Sequence, residues 1–235
     1  MIRIENLGLS YGTRTVLKEA SAQYAKGEIS ALIARNGAGK STLLHAICKE
    51  KEINAGHIYL DGNDVAKTPA NKMSKLLSIV STLRTKAANL TVKQAVLLGR
   101  SPYTNWLGQH SVYDIEVVEN ALSMVNMTSY GNRDINSLSD GEFSRAMIAR
   151  AIAQDTGTII LDEPCAFLDI PSRYEICRLL RELAIKKMKC IIYSTHDIDC
   201  AIDAVDTISV IDNCQLKKYD AKKDGRQIIK ETFGI

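Results

Sequence analysis

The sequence lacks the features that would place the chain across a membrane, in the secretory pathway or on nucleic acid. No apolar stretch approaches the roughly 20 residues that a membrane-spanning helix needs, and no secretory signal precedes the first strand-like segment. Neither sign of charge dominates, since 30 Lys and Arg residues stand against 27 Asp and Glu residues. Electrostatics therefore give no case for nucleic-acid binding, and we expect a cytoplasmic protein.

Paired cysteines, repeats and interdomain linkers are also missing. The six cysteines are scattered without a C-x-x-C pair, which argues against a zinc or disulfide framework and predicts reduced, mostly buried thiols. No low-complexity tract divides the 235 residues, a length that can bury a substantial core. We therefore predict a single domain over residues 1–235.

The segment Ala34–Thr42 has the organisation of a phosphate-binding loop, with an apolar run of strand length before it and an amphipathic helical run after it. Backbone N–H groups at such a helix start are unpaired, and the helix dipole adds positive charge. Lys40 would reach the β and γ phosphate oxygens, and Ser41 would offer a hydroxyl to Mg²⁺. The alternative is a lysine-containing turn in an unrelated α/β domain. The predicted loop ligands are Asn36, Gly37, Ala38, Gly39, Lys40, Ser41 and Thr42.

Ala34 stands where the pattern expects its first glycine. If this position needs a positive φ, alanine costs about 1–2 kcal/mol. A micromolar nucleotide site is worth about 8 kcal/mol. Binding would therefore be weakened but retained.

The first segment, Met1–Gly27, is predicted to form strands with a turn at Tyr11-Gly12. An aromatic ring close upstream of a phosphate loop can stack on a nucleotide base, since every base offers a π-face. The plainer alternative is a tyrosine at a strand edge.

The middle of the chain is mainly helical by periodicity, which predicts a helical subdomain inserted at roughly residues 88–156. Within it, Ser139 and Gly141 lie where a helix begins. A serine beside a glycine at a helix N-terminus can bind an anion through backbone N–H groups and a hydroxyl. An ordinary N-cap explains the same residues.

Acidic residues and a histidine follow two later strand-like runs. Asp162 and Glu163 end the run that starts at Thr158, and His196 comes after the run Cys190–Ser194. The carboxyl ends of parallel strands are where α/β proteins bind ligands. Asp162 is suited to Mg²⁺ and Glu163 to accepting a proton from water, while Asp169 is predicted to start a helix.

In this order, these segments resemble the ATP-binding-cassette (ABC) ATPases over essentially the whole chain. The resemblance implies an α/β P-loop NTPase core with an N-terminal antiparallel β subdomain and an inserted α-helical subdomain. It implies ATP and Mg²⁺ as ligands. The implied roles are adenine stacking for Tyr11, catalysis for Lys40, Glu163 and His196, and contact with the nucleotide for Ser139, Gly141 and Asp169.

Within the family, the segment Leu98–Tyr103 and the later Trp106-Leu107-Gly108 look like importers of iron-siderophores, haem and cobalamin. That likeness implies an ATP-hydrolysing subunit at the cytoplasmic face of the cell membrane. Its implied partners are a second copy in a head-to-tail dimer, integral-membrane permease subunits and an upstream substrate-binding protein. Two alternatives stay open: a soluble ABC ATPase of iron–sulfur cluster assembly and a non-hydrolysing nucleotide-binding scaffold.

Two further departures from the family pattern bear on these expectations. The signature segment has Asp140-Gly141-Glu142 in place of Gly-Gly-Gln, which adds acid near a polyanion and should weaken closure unless the acids point away or meet basic partners. The glutamine that the family places after its third core strand corresponds to Thr82, which we predict as a metal ligand of shorter reach.

Overall fold

The computed structural model describes residues 1–81, 90–104, 106–166 and 168–234. The described residues form two β-sheets and helices that pack on them. The strands are β1 (Ile2–Tyr11), β2 (Arg14–Tyr24), β3 (Ile29–Ala34), β4 (Ala55–Leu60), β5 (Asn63–Asp64), β6 (Leu77–Ser81), β7 (Thr158–Asp162), β8 (Cys190–Ser194), β9 (Thr207–Asp212) and β10 (Gln215–Asp220). The α-helices are α1 (Lys40–Ile47), α2 (Ala70–Leu76), α3 (Val92–Leu97), α4 (Val112–Met124), α5 (Asp140–Ala153), α6 (Ile170–Lys187), α7 (Ile198–Ala204) and α8 (Gly225–Phe233).

The smaller sheet is antiparallel, with strand order β2-β1-β4-β5. β1 and β2 form the predicted hairpin, and the turn between them uses Gly12 with φ +59°. Along β1 the buried residues alternate with exposed ones at the start of the strand, which is the pattern of a sheet with one face on the core. Tyr11 is the last residue of β1, and this sheet places it beside the second sheet.

The larger sheet carries the predicted phosphate loop. Its strand order is β10-β9-β3-β8-β7-β6, and every neighbouring pair except β10 with β9 is parallel. β3 and β8 are buried along their whole length, as strands covered by helices on both faces are. The carboxyl ends of β3, β7 and β8 lie together at one edge. The predicted fold class, including the antiparallel and helical parts, is confirmed.

Helices α3, α4 and α5 lie between β6 and β7 in the chain, and capping boxes fix their starts. Thr91 with Gln94, Ser111 with Asp114, and Ser139 with Glu142 each exchange side-chain and backbone hydrogen bonds. Such boxes satisfy two otherwise unpaired N–H groups of the first turn. Hydrogen bonds local to each start therefore define where these three helices begin.

Beyond α3 the backbone continues as a 3₁₀ helix over Leu98–Tyr103. Gly99 in this helix packs closely on α5: a Cβ atom there would lie 2.4 Å from the carbonyl oxygen of Arg150. Trp106, which follows the 3₁₀ helix, is 91% exposed.

Arg100 is the buried centre of this helical region. Its Nε donates to Oδ1 of Asp114 at 2.7 Å, its Nη1 donates to the carbonyl oxygen of Ala153 at 2.9 Å, and its guanidinium stacks on Tyr103. The side chains of Arg100 and Asp114 are 5% and 6% exposed. One guanidinium therefore joins α4, α5 and the 3₁₀ helix.

Within the described ranges no helix is long and apolar enough to cross a bilayer. All six cysteines are free thiols, four of them buried, which confirms the predicted state of the cysteines.

Asp114→Asn should destabilise the fold by about 3–5 kcal/mol at pH 7, because it leaves the buried Arg100 charge uncompensated. Burial alone would raise the pKa of Asp114, but hydrogen bonds from Ser111 and the Arg100 guanidinium outweigh it and hold the pKa at about 2. A pKa below the unfolded value stabilises the protein at higher pH, so the difference between wild type and variant should shrink as the pH falls from about 4 to about 2. Urea unfolding measures both effects.

Glu119→Gln is the matched control on the same helix, since the Glu119–Lys93 ion pair is exposed. Its free energy of unfolding should stay within about 0.5 kcal/mol of wild type. Equal losses in the two variants would contradict the role given to the buried pair.

Candidate functional site

The phosphate-loop segment forms a tight connection between β3 and α1. Gly37 and Gly39 have φ angles of +73° and +107°, a region that favours glycine. A Cβ atom on Gly39 would lie 2.0 Å from Cγ1 of Val16, so the loop needs glycine there for packing as well as for conformation. α1 then starts at Lys40, and its N-cap Gly39 offers no side chain to cap the first turn. The helix N-terminus is therefore suited to an anion.

Ala34 does not carry the strain that a positive φ would impose. It is the last residue of β3, in extended conformation and paired with Ile211 of β9. The expected cost of about 1–2 kcal/mol therefore does not arise, because the turn begins one residue later.

Glu163 follows β7 with φ +51°, in the left-handed region. For a residue with a side chain this conformation costs about 1–2 kcal/mol, and strain of this kind clusters at functional sites. The turn directs the Glu163 carboxylate toward Lys40 of the phosphate loop and His196 after β8.

Lys40, Glu163 and His196 form a compact cluster. Glu163 Oε1 lies 2.6 Å from His196 Nε2 and 4.0 Å from Lys40 Nζ, and Lys40 Nζ lies 3.1 Å from the same His196 nitrogen. One Nε2 cannot both donate to the carboxylate and accept from the ammonium. The short distance to Glu163 fits a charge-assisted bond, so we assign the proton to Nε2 and the donation to Glu163.

The Lys40 ammonium is largely removed from water. Burial lowers the pKa of Lys40, and the carboxylates of Glu163 and Asp162 oppose this effect by favouring the charged form. The cluster therefore places the Lys40 side chain at the helix start, with the Glu163 carboxylate 4.0 Å away.

A cleft of about 560 Å³ opens at this cluster. Tyr11, 70% exposed, stands at the cleft with Arg14, and the sequence analysis did not single out Arg14. The cleft is lined by Tyr11, Arg14, Val16, Asn36, Gly37, Gly39, Lys40, Ser41, Thr42, Glu163 and His196. Most predicted loop ligands and all three predicted catalytic residues, Lys40, Glu163 and His196, thus meet in one place, with Ala38 between Gly37 and Gly39.

Ser139, Gly141 and Asp169 are not among the residues that line this cleft. Ser139 is the N-cap of α5, and Asp169 is the N-cap of α6. The Asp169 side chain accepts a hydrogen bond from the backbone N–H of Ser172. Gly141 lies against the segment before α6, since a Cβ atom on it would come within 3.0 Å of Leu168. These three residues form a separate surface of the same chain.

Glu142 is bound to its own helix start. Its Oε2 accepts the backbone N–H of Ser139 at 2.8 Å, while its own N–H donates to Ser139 Oγ at 3.3 Å. The Ser139 backbone bond, followed by the hydroxyls of Ser139 and Tyr130 and the charge of Arg133, lowers the pKa of Glu142 against the effect of burial. This acid is therefore hydrogen-bonded to its own helix start, and the charge of Arg133 acts on it.

Two predicted metal ligands, Ser41 and Asp162, present hard oxygen atoms of the kind that Mg²⁺ prefers. Ser41 is exposed in the first turn of α1, and Asp162 ends β7 close enough to influence Lys40. Among the described residues, no group of three or more His, Cys, Asp or Glu side chains forms a metal cluster. Thr82, the third predicted ligand, lies outside the described residues.

The parallel sheet, the glycine loop and the charged cluster at its edge define a P-loop nucleotide-binding protein. A model of the ABC transporter family matches residues 17–166. The ATP-binding protein YusV of Bacillus subtilis is 40% identical over 200 residues, which cover 85% of this chain and 73% of the relative. The chain therefore belongs to the ABC transporter family and is an ATPase of that family.

Two further comparisons agree. The petrobactin import ATP-binding protein FpuD of Bacillus anthracis is 36% identical over 234 residues, or 99% of this chain and 86% of the relative. The dimeric structure of the cassette MJ0796 matches with a TM-score of 0.82 at 24% identity, over 94% of this chain and 99% of that chain. The latter likeness establishes the common fold.

Lys40→Ala should lower ATP turnover by about 10²-fold or more, because it removes a preorganised charge from the phosphate site. Lys189→Ala is the matched control: this lysine is also largely buried, but it pairs with Asp155 away from the cleft. Steady-state phosphate release measures both variants. Normal turnover in the Lys40 variant, or an equal loss in both, would count against the phosphate-loop assignment.

Proposed function

We propose that this chain is the ATP-hydrolysing subunit of a membrane importer for an iron-siderophore, haem or cobalamin-type solute. The observation that carries the proposal is the cluster of Lys40, Glu163 and His196 at the phosphate loop, in a chain of this family. The names of its relatives support the solute class, since they refer to import of petrobactin, achromobactin, iron(3+)-hydroxamate and hemin. Those names favour an importer over iron–sulfur assembly, and the intact cluster favours hydrolysis over a scaffold.

In this proposal ATP binds along the cleft from Tyr11 to α1. The exposed ring of Tyr11 would stack on the adenine, as aromatic side chains do with any base. Backbone N–H groups of the loop and the start of α1 would hold the phosphates, with Lys40 at the β and γ oxygens. The γ-phosphate would then replace Glu163 as the main anionic partner of Lys40.

Once released from Lys40, Glu163 is the proposed general base. A carboxylate at this place can accept a proton from the water that attacks the γ-phosphorus. His196, which donates to Glu163 at 2.6 Å in the present arrangement, would orient that carboxylate and contact the γ-phosphate. Bound Mg²⁺, held by Ser41 and Asp162, would neutralise charge on the phosphates. A metal role for Thr82 stays a prediction.

The proposed assembly is a head-to-tail dimer, because one chain offers two separate halves of a site. Ser139 and Gly141 at the start of α5 would contact the γ-phosphate bound to the partner's phosphate loop, and Asp169 would lie at the same interface. Helix N-termini and a hydroxyl suit that role. The proposed organisation is one domain over residues 1–235, with the helical subdomain at roughly 88–156 turned toward the partner's nucleotide.

Glu163→Gln should trap this dimer. Loss of a positioned base typically slows the reaction by about 10²–10⁴-fold, so ATP should persist and hold two chains together. We expect a dimer with ATP and a monomer with ADP by size exclusion with light scattering. Adding Ser139→Arg should abolish the dimer, because the larger side chain fills the space that the phosphate needs.

The dimer test includes a low-salt series with and without Mg²⁺, since exposed charges are screened by salt. Ser137→Arg is the control for Ser139→Arg: it also adds a cation before α5, and its hydroxyl bonds only locally, to Asp134. A Glu163→Gln protein that binds ATP tightly yet stays monomeric in every condition would contradict the shared site.

An exposed apolar patch supports the proposed permease partner. We call the following residues the aromatic patch: Leu98, Trp106, Leu107, Val112 and Tyr113, which are 47%, 91%, 57%, 77% and 62% exposed. Large exposed apolar residues close together in the chain are typical of interaction sites, and tryptophan is frequent among the residues that dominate binding energy. A permease segment on this patch would keep the ATPase at the cytoplasmic face of the cell membrane.

Trp106→Ser should weaken recovery of the chain with its co-expressed permease by about tenfold, a loss of about 1.4 kcal/mol. Basal turnover of the isolated chain should not change. Ile185→Ser on α6 is the control, because Ile185 is an apolar residue of similar kind, 53% exposed and far along the chain from the patch. Unchanged recovery of the Trp106 variant would argue that the permease binds elsewhere.

A further inference from the structure

A buried serine stands directly beneath the two acidic residues of the site. Ser194 is the last residue of β8, and β8 lies between β3, which leads to the phosphate loop, and β7, which leads to the acids. Its neighbour in the parallel ladder is Leu32 of β3. The side chain is fully buried, at 0% exposure, so its hydroxyl must find partners inside the protein.

Both partners belong to the acidic turn. Ser194 Oγ lies 2.5 Å from Oδ1 of Asp162 and accepts the backbone N–H of Glu163 at 2.9 Å. The backbone N–H can only donate, and the carboxylate can only accept. The single hydroxyl proton therefore points to Asp162, and the direction of both hydrogen bonds is fixed.

These bonds act on different parts of the site. The bond to Oδ1 leaves the second carboxylate oxygen of Asp162 for another ligand and fixes its orientation. The bond to the Glu163 N–H holds the peptide that enters the left-handed turn, where φ is +51°. That turn sets the direction in which the Glu163 side chain leaves the backbone, toward Lys40 and His196.

We propose that Ser194 is a positioning residue, which aligns Asp162 for Mg²⁺ and Glu163 for the attacking water. The inference rests on the roles proposed above for these two acids. Ser194 is fully buried and both of its partners are protein groups, so it would touch neither nucleotide nor metal. It acts through the preorganised orientation of groups that do, and misplacement of reacting groups by about 1 Å can cost about 10²-fold in rate.

Ser194→Ala tests the proposal, since alanine fits the space and removes only the hydroxyl. We expect kcat to fall about 10–100-fold, while KM for ATP changes less than about threefold because the phosphate loop is untouched. Affinity for Mn²⁺, used as a spectroscopic substitute for Mg²⁺ and titrated by electron paramagnetic resonance with ADP present, should fall about 10-fold or more. Backbone hydrogen exchange at Glu163 should become faster.

Ser209→Ala is the matched control. Ser209 is also fully buried in the large sheet, on β9, and its hydroxyl bonds to Tyr24 at 2.9 Å. Ser194→Ala loses the bonds to Asp162 and from the Glu163 N–H, and Ser209→Ala loses the bond to Tyr24, so both variants should lose some stability. Only the Ser194 variant should lose Mn²⁺ affinity and kcat.

The proposal is overturned if kcat or Mn²⁺ affinity stays at its wild-type value in Ser194→Ala. It is also overturned if Ser209→Ala shows the same losses. The Glu163→Gln variant separates this inference from the proposed function. If Glu163→Gln turns over normally, the assignment of the base is wrong, whatever Ser194 does. If Glu163→Gln is inactive while Ser194→Ala is normal, only the positioning role fails.

Discussion

The site depends on the buried Lys40 side chain and on the strand order that brings two carboxylates close to it. The Lys40 side chain is only 7% exposed, and an isolated charge at that depth is strongly disfavoured. Asp162 and Glu163 supply the opposite charge from the end of β7, while β8 holds the space between β7 and β3. Any change in the order or register of these strands would separate the cation from the acids. The parallel sheet is therefore what makes a buried lysine tolerable.

The antiparallel sheet shapes the other wall of the cleft. Val16 of β2 occupies the space that a side chain at Gly39 would need, so the loop and the hairpin constrain each other. β2 is also bonded to the far end of the large sheet, because the N–H of Lys18 donates to the carbonyl oxygen of Cys214 at 2.9 Å. The two sheets thus hold the hairpin that carries Tyr11 against the phosphate loop. The proposed stacking of Tyr11 on a base would need this support, since its ring is mostly in solvent.

Local signals in the sequence predicted much of this arrangement. The bounds of β8 were predicted to the residue, and the helix start at Asp169 was found because a capping residue acts on its own neighbours. β10 was not predicted: only Leu216 of its six residues is buried, so its sequence lacks the apolar alternation of a half-buried strand. The condition set for strain at Ala34, a positive φ, is not met, because the turn begins after this residue. The contacts of Ser194 join residues 31 and 32 positions apart, and no local pattern reports them.

The acidic residue Glu142 can be explained by contacts within its own chain. A glutamine there could also accept the Ser139 N–H through its carbonyl oxygen and close the same capping box. The box alone therefore does not require a carboxylate. The Ser139 backbone bond, followed by the Tyr130 hydroxyl and the charge of Arg133, which stacks on Tyr130 at 4.2 Å, lowers the pKa of Glu142. Because this carboxylate is hydrogen-bonded to its own helix start and the charge of Arg133 acts on it, its repulsion of an approaching phosphate would be smaller than that of an unpaired acid at the same distance.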